Sequence, residues 1–240
     1  MTPSPTTSSR AADASTRPHG GSSGRGWLST SATVLVAWAV ILGAVLAVGW
    51  LITGPFRSGV EPWDDDVSRW FADQRTPTLT TFADAGTLLG ETPVGAGVAA
   101  VVAIALSVWK RSWRPAAFFA LLIVGIGGFY AVATMLITRL RPPVKILDPG
   151  LVPNDSFPSG HVATATAAYA GTAVVVWFLA PALRRWVAVL FLLPLVEVLS
   201  RLYEGAHHLT DVATSVLYTT AWMAVLITAL ILPGRERTDQ

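Results

Sequence analysis

Six long apolar stretches set the fold that this chain can adopt. A helix that crosses a bilayer core needs about 20 apolar residues, with a range of roughly 17 to 25. The stretches run from Thr33 to Ile52, Pro93 to Trp109, Ala116 to Ile137, Val162 to Ala180, Trp186 to Tyr203 and Val212 to Leu232. They are continuously apolar, whereas the strands of a membrane β-barrel alternate. We therefore expect an all-α fold, a six-span transmembrane helical bundle.

The fifth stretch is the least apolar, because Pro194, Glu197 and Arg201 interrupt it. A half-buried helix is its alternative interpretation. Glu197 stands four residues before Arg201, so the two side chains share a helix face and an ion pair between them is expected. A direct catalytic part for Glu197 is the alternative to this pairing.

Composition excludes several classes of protein. Of 240 residues, 52% are hydrophobic and 13% are charged, about half the charge of an ordinary soluble domain. The net charge is +2, but the basic residues are scattered at the ends of the apolar stretches, so nucleic-acid binding is not expected. The chain has no cysteine, which excludes disulfides and thiolate metal sites. The composition indicates a membrane protein; the oligomeric state is left open.

The two ends of the chain are polar, and the basic residues indicate their side of the membrane. Residues 1–28 are rich in Ser, Thr, Pro and Gly and predict a disordered tail, followed by a six-span domain at 29–233 and a short tail at 234–240. Ten of the 17 basic residues lie on the side of the termini: Arg10, Arg17, Arg25, Lys110, Arg111, Arg114, Arg184, Arg185, Arg235 and Arg237. The positive-inside rule therefore places both termini in the cytoplasm.

The longest connection, from Gly54 to Glu91, lies between the first two spans and is acidic. Its apolar side chains recur at helical spacing and are Trp63, Val67, Trp70 and Phe71. Asp64, Asp65 and Asp66 are largely opposed to them. The pattern predicts an extracytoplasmic helix in the headgroup region that anchors the bundle or guides lipid to a site.

A helix start with phosphate-binding character precedes the fourth span. Ser159, Gly160 and His161 stand where a polar segment gives way to the apolar stretch. Unpaired backbone N–H groups at a helix N-terminus bind anions, and a glycine allows close approach of a phosphate oxygen. A role in helix capping alone is the alternative for Ser159.

A second histidine lies beyond the fifth span. His207 and Asp211 are four residues apart, so on a helix or tight turn the carboxylate can accept a hydrogen bond from one imidazole nitrogen. The other nitrogen is then free to attack phosphorus. Arg201 lies six residues before His207, and a charge so near hydrocarbon indicates function or an ion pair. His208 lacks a carboxylate four residues on, so we favour His207.

Two arginines end the third span. Arg139 and Arg141 stand immediately before Pro142 and Pro143. A guanidinium matches phosphate oxygens with paired hydrogen bonds. Snorkelling to lipid headgroups is the alternative for an arginine at this place. With both termini cytoplasmic, all three motifs lie on the extracytoplasmic side.

The three motifs together resemble the signature of the type 2 phosphatidic acid phosphatase superfamily over roughly residues 60 to 232. The elements are Arg141-Pro142, Pro158-Ser159-Gly160-His161, and Ser200-Arg201 followed by His207 and Asp211. The resemblance implies an integral membrane phosphatase that hydrolyses lipid phosphates or diphosphates without a metal or another cofactor. Its roles are a His207 nucleophile, Asp211 as orienting carboxylate, His161 as the acid, and phosphate binding by Arg141, Ser159, Gly160 and Arg201.

One position departs from the family pattern. Thr134 stands seven residues before Arg141, where the family usually has a lysine. Residues seven apart share a helix face, so Thr134 is expected to face the phosphate with a hydroxyl, next to Arg139 and Arg141. Lys145 is a candidate to replace the missing charge from the loop.

The lipid itself is not encoded in a legible way. Undecaprenyl diphosphate, phosphatidic acid, phosphatidylglycerol phosphate and other isoprenyl phosphates all fit the motifs. A lipid phosphotransferase, and a catalytically inactive lipid-binding member supported by Thr134, are alternatives. A transporter or channel is a third, although the charges cluster at one face of the membrane and not at its midplane.

Overall fold

The computed structural model describes residues 22–235, and in that range it confirms the all-α, six-span bundle. Two shorter helices lie between the first and second spans. The helices are α1 Ser22–Thr53, α2 Arg57–Asp73, α3 Pro77–Thr87, α4 Thr92–Lys110, α5 Arg114–Leu136, α6 Gly160–Leu179, α7 Pro181–Tyr203 and α8 Leu209–Ile231. The fifth stretch is a full-length span, α7, with two turns of 3₁₀ helix in its first half.

Only the inner end of each predicted tail falls within the described residues. α1 begins at Ser22, so the last part of the predicted tail 1–28 is helical, and residues 1–21 lie outside the described residues. A final helical turn, Leu232–Arg235, follows α8. The rest of the predicted tail 234–240 also lies outside them.

Aromatic packing joins α1, α5 and α8 in the core. The fully buried Phe129 ring stacks on Trp38 at 5.2 Å and meets Trp222 edge-on at 6.0 Å. Trp222 Nε1 donates to the carbonyl oxygen of Leu121 at 3.0 Å. A side chain at Gly125 would collide with the Trp222 ring. In lipid the hydrophobic effect contributes little to helix association, so small residues that let two spans approach closely are important for packing.

α6 is the central helix of the bundle. In its most apolar 18-residue window 78% of the residues are buried. Its first half is rich in alanine, which lets α4, α5, α7 and α8 pack closely around it. A π-helical turn at Thr166–Ala170 interrupts the helix. Its N-terminus, at Gly160, is therefore held inside the protein and not in lipid.

α2 forms where the sequence predicts a helix, and one of its three consecutive aspartates, Asp64, turns into the protein. Asp64 and Ser68, one turn apart, are buried, whereas Trp63 and Trp70 are 52% and 59% exposed. The physical reason is a partner for Asp64, because its carboxylate forms an ion pair with Arg139 inside the protein at 2.7 Å. The tryptophan face is thereby turned outward, where amphipathic rings favour the membrane interface.

Candidate active site

A cavity of about 270 Å³ opens among α4, α5 and α6 at the end of the bundle that carries the motifs. Its lining residues are Thr92, Ala96, Ile123, Ile126, Gly127, Tyr130, Arg141, Leu151, Gly160, His161, Ala163, Thr164 and His207. Arg141, His161 and His207 form its charged and titratable part. The apolar wall of α5 extends from Tyr130 to Ile123, roughly 10 Å along a helix. Each of the three sequence motifs therefore contributes at least one residue to the lining of this cavity.

The N-terminus of α6 is built as a capped helix start beside this cavity. The Ser159 Oγ accepts a hydrogen bond from the Val162 N–H at 3.4 Å, and the Ser159 N–H donates to the Ser215 Oγ at 2.8 Å. Ser159 is fully buried and acts as the N-cap. Gly160 lines the cavity, and a Cβ there would lie 3.2 Å from the Tyr130 ring. The capping interpretation therefore describes Ser159, whereas Gly160 lies against the cavity.

His207 lies in the turn between α7 and α8 and is 4% exposed. Its Nδ1 is 2.6 Å from the backbone carbonyl oxygen of Ser156. A carbonyl oxygen only accepts, so Nδ1 carries the hydrogen and Nε2 keeps its lone pair in the neutral ring. The Asp211 carboxylate, expected as this partner, is 4.0 Å from Nδ1. The expected hydrogen bond from His207 to Asp211 is therefore not formed, because the Asp211 carboxylate on α8 accepts hydrogen bonds from other donors.

The surroundings keep His207 uncharged. Burial lowers the pKa of His207 to about 3; the nearby Asp211 carboxylate opposes this, and the charges of Arg201 and Arg141 add to it. The imidazole is therefore neutral at physiological pH. A neutral ring with its lone pair on Nε2 is the form that can attack phosphorus.

Asp211 and Arg139 form a buried network behind His207. Asp211 accepts hydrogen bonds from the Arg139 Nη1, from the Ser156 Oγ at 2.6 Å and from the His208 N–H at 2.9 Å. The Arg139 Nη2 donates to Asp64 at 2.7 Å. Arg139 is 8% exposed and is not among the cavity-lining residues. The expectation that Arg139 binds substrate is not met, because two carboxylates hold its guanidinium inside the protein.

His208 lies on the side of the network away from the cavity. Its Nδ1 is 3.4 Å from Asp211, three residues on, and its Nε2 is 3.3 Å from Asp65. The sequence spacing predicted that His207, and not His208, lies beside the Asp211 carboxylate. In the structure His208 is the closer of the two to Asp211, whereas His207 is the histidine that lines the cavity.

Arg141 is held by backbone oxygens. Its three guanidinium nitrogens donate to the carbonyls of Val152 at 2.8 Å, Ala206 at 2.5 Å and Asp155 at 3.0 Å. Burial lowers the pKa of Arg141, and the charge of Arg201 adds to this, yet an arginine stays protonated in proteins. No salt bridge to Arg141 occurs among residues 30–233. A fixed positive charge without a neutralising partner faces the cavity.

Arg201 is fully buried and does not line the cavity. Its Nη1 donates to Thr87 Oγ1 and to Glu204 at 2.7 Å, and its Nη2 donates to Asp148 at 2.8 Å. Its Nε has no hydrogen-bond partner in the part of the chain that the structure describes. Burial raises the pKa of Glu204 to about 7, although the Arg201 charge opposes this. The structure thus places Arg201 behind the cavity, not at its surface.

The expected ion pair between Glu197 and Arg201 is not formed. Glu197 is fully buried, and its carboxyl group packs against the α-carbon of Gly90, where a Cβ would lie 2.5 Å from Glu197 Cδ. Asp148, from the loop after α5, and Glu204, the C-cap residue of α7, bind the Arg201 nitrogens instead. Spacing along one helix cannot reveal Asp148, whereas Glu204 stands three residues after Arg201, at a spacing that helix neighbours share.

His161 faces a carboxylate that the sequence motifs do not contain. Its Nε2 is 3.7 Å from the Glu91 Oε1 and has no hydrogen-bond partner among the described residues. Glu91 is the N-cap of α4, and its side chain is 47% exposed. Tyr130, Ser156 and Glu91 are the site residues that sequence reasoning missed. For Glu91 a signal exists, since it immediately precedes the Thr-Pro that begins α4.

Thr134 and Lys145 do not replace the expected lysine at the cavity. Thr134 Oγ1 donates to the backbone oxygens of Tyr130 at 3.0 Å and Ala131 at 3.2 Å within its own helix. Lys145 is exposed in the loop after α5. Arg141 is the one lysine or arginine among the described residues that line the cavity.

Comparisons with known proteins concern the family and the fold of the chain. Residues 115–231 match the family model of the PAP2 superfamily. The structure resembles the crystal structure of a transmembrane PAP2-type phosphatidylglycerolphosphate phosphatase from Bacillus subtilis, with a TM-score of 0.67 and 19% sequence identity. The likeness covers 85% of this chain and 97% of that chain, and at this identity it shows the fold. No curated protein sequence matches the chain significantly.

Proposed function

The chain belongs to the PAP2 superfamily through residues 115–231, and on that premise we propose that it is an integral membrane phosphatase that cleaves a lipid phosphomonoester or diphosphate. One observation carries the proposal most. The neutral His207, with its lone pair on Nε2, shares an apolar-walled cavity with the uncompensated charge of Arg141. The apolar wall suits a lipid tail, and the charged end suits its phosphate.

The first half of the proposed reaction forms a phosphohistidine. The phosphoryl group binds to Arg141 and to backbone N–H groups at the start of α6. Nε2 of His207 attacks phosphorus in line, an N–P bond forms, and the bond from phosphorus to the lipid oxygen breaks. His161 gives its proton to that departing oxygen. Glu91, 3.7 Å from His161 Nε2, stabilises the protonated form of His161 that this step needs.

The second half releases inorganic phosphate. Water attacks the phosphorus of the phosphohistidine while His161, now neutral, takes a proton from it. The N–P bond breaks, and its electron pair returns to Nε2. The hydrogen bond from Nδ1 to the Ser156 carbonyl keeps the ring in one orientation through both halves. Arg141 stabilises the charge that spreads over the phosphoryl oxygens.

The chemistry needs no metal in this proposal. The cavity offers histidines and an arginine, and no group of three His, Cys, Asp or Glu within the described residues could hold a metal ion. The positive charge of Arg141 repels a cation. Activity is expected to survive EDTA and to be inhibited by vanadate, an anion that resembles the phosphoryl transition state. Loss of activity in EDTA, with recovery when magnesium is added, would contradict this mechanism.

We also propose that both termini are cytoplasmic and that the cavity faces the other side. The basis is the distribution of basic residues. Asn154 is exposed in the loop beside the cavity, and the chain has no cysteine. In intact cells, Asn154→Cys is expected to react with an impermeant maleimide. Labelling only after lysis would overturn this orientation.

The decisive test is phosphate release by the purified full-length protein from a panel of lipids. The panel contains undecaprenyl diphosphate, phosphatidic acid and phosphatidylglycerol phosphate, with His207→Ala as the inactive control. Release from at least one lipid, absent in the control, supports the phosphatase. Transfer of phosphate to an added alcohol in place of water would indicate a phosphotransferase. No turnover on any of these lipids, in a folded protein, would favour an inactive lipid-binding member.

A further inference from the structure

A buried carboxylate on α2 lies in the network that holds the catalytic turn. Asp64 is fully buried and lies outside the residues that match the family model. We propose that Asp64 is a positioning residue for His207 and acts through Arg139 and Ser156. The proposal rests on the proposed function, in which His207 is the nucleophile.

The first link joins α2 to the start of α8 and to Arg139. Asp64 accepts hydrogen bonds from the Thr210 Oγ1 at 2.5 Å, the Thr210 N–H at 3.2 Å and the Arg139 Nη2 at 2.7 Å. A buried carboxylate is stable only when donors such as these surround it. Asp64 therefore fixes the position of the Arg139 side chain and of the first turn of α8.

The second link is the planar guanidinium of Arg139. Its Nη2 binds Asp64 and its Nη1 binds Asp211, so one rigid group sets the separation of two carboxylates on different helices. The backbone of Arg139 is also tied down, because its carbonyl accepts from the Ser156 N–H at 3.1 Å and its N–H donates to the Asn154 carbonyl at 3.0 Å. The backbone of Arg139 thus holds residues 154–156 directly, and its side chain reaches Ser156 through Asp211.

The third link is Ser156. Its N–H is held by Arg139, its Oγ donates to Asp211 at 2.6 Å, and its carbonyl accepts from His207 Nδ1 at 2.6 Å. The orientation of that carbonyl selects which nitrogen of His207 carries the hydrogen. Loss of the Asp64 charge frees the Arg139 side chain and thereby the Ser156 carbonyl. Hydrogen is then no longer confined to Nδ1 of His207. A carboxylate that lies on another helix and touches no substrate is coupled in this way to the reacting nitrogen.

The test compares Asp64→Asn with a matched neighbour, Asp66→Asn. Asp66 lies on the same helix, and its side chain is 76% exposed and pairs with Arg69. Asp64→Asn is expected to lower kcat on dioctanoyl phosphatidic acid about ten- to a hundredfold, the range for groups that orient another functional side chain. KM and inhibition by vanadate stay within about twofold, because Arg141 keeps its three carbonyl partners. Asp66→Asn behaves as wild type.

A second measurement does not depend on turnover. The chain has four histidines, so ¹⁵N-histidine labelling with a His207→Gln reference identifies the His207 ring signals in detergent. Wild type is expected to show hydrogen on Nδ1 of His207, and Asp64→Asn a mixture of the two tautomers. An inactive wild type with this tautomer change would count against the proposed function and leave the positioning role in place.

A milder variant keeps the outcome clear if Asp64→Asn does not fold. Thr210→Val removes one donor to Asp64 and preserves shape. It is expected to lower kcat severalfold and to shift the His207 tautomer in part. Wild-type kcat and tautomer in every folded variant would overturn the proposal. A rise in KM and weaker vanadate inhibition at unchanged kcat would also overturn it, since Asp64 would then serve phosphate binding.

Discussion

His207 Nδ1 lies 2.6 Å from the backbone carbonyl oxygen of Ser156. This contact, and not a direct bond to Asp211, selects the tautomer of the proposed nucleophile. Because a backbone oxygen cannot change its protonation state, the arrangement holds the ring in one orientation over a wide pH range. Asp211 influences His207 indirectly, because it accepts a hydrogen bond from the Ser156 Oγ and so holds Ser156 in place.

The two adjacent histidines are expected to differ sharply in importance. His207→Ala removes the proposed covalent nucleophile and should lower turnover at least about a thousandfold. His208→Ala removes contacts to Asp65 and Asp211 outside the cavity, so it should cost less than about tenfold. Phosphate release under saturating lipid measures both. If His208→Ala abolished activity and His207→Ala spared it, the assignment of the nucleophile would be wrong.

Arg141→Lys is expected to be a severe change although it conserves charge. The guanidinium donates to three carbonyls in different directions, and a single ammonium on a flexible stem cannot reproduce that geometry. We expect kcat/KM to fall about a hundredfold, close to 3 kcal/mol of lost transition-state stabilisation. The matched control is Lys110→Arg at the far end of α4. An equal loss in that control would show that the assay does not report on the cavity.

The stability of the protein is expected to depend on pH through Glu204. Burial raises the pKa of Glu204 to about 7 from 4.5, so the folded state binds a proton that the unfolded state releases between these values. Its contribution to stability is full below pH 4.5 and is lost as pH rises through 7. The melting temperature of wild type in detergent, relative to Glu204→Gln, should therefore fall from pH 5 to pH 8. A constant difference across that range would show that Glu204 titrates normally.

Thr134 is the position at which a missing charge can be restored. It lies one turn beyond Tyr130 on α5, and Tyr130 lines the cavity. Thr134→Lys is expected to improve vanadate binding severalfold by adding a cation near the phosphoryl group. Lys145→Ala should leave activity within about twofold, because Lys145 is exposed in the loop. A strong loss in Lys145→Ala, with no gain in Thr134→Lys, would show that Lys145 already supplies the charge.

The sequence predicted what depends on local pattern. The six spans follow from uninterrupted apolar length, and the meeting of Arg141, His161 and His207 follows from motifs at one end of those spans. Partners far apart in the chain could not be predicted. The burial of Asp64, on α2, depends on its ion pair with Arg139, which no period along α2 reveals. For the same reason Arg201 was paired with Glu197, its neighbour on one helix, and not with the distant Asp148. Glu204, three residues after Arg201, was a second neighbour at helical spacing, and the sequence offers no basis for choosing it over Glu197.

The spread of the Asp64 network along the chain has a consequence for how the protein is made. Asp64 and Thr210 are 146 positions apart, so α2 is synthesised long before the residues around Asp211. Until α8 is in place, Thr210 and Asp211 cannot join Asp64, Arg139 and Ser156 in the network that holds His207, and long-range closure of this kind comes late in assembly. Under the proposed function, a nascent or truncated chain that lacks α8 is therefore expected to be inactive, and hydrolysis is expected to begin only once the last span has been inserted.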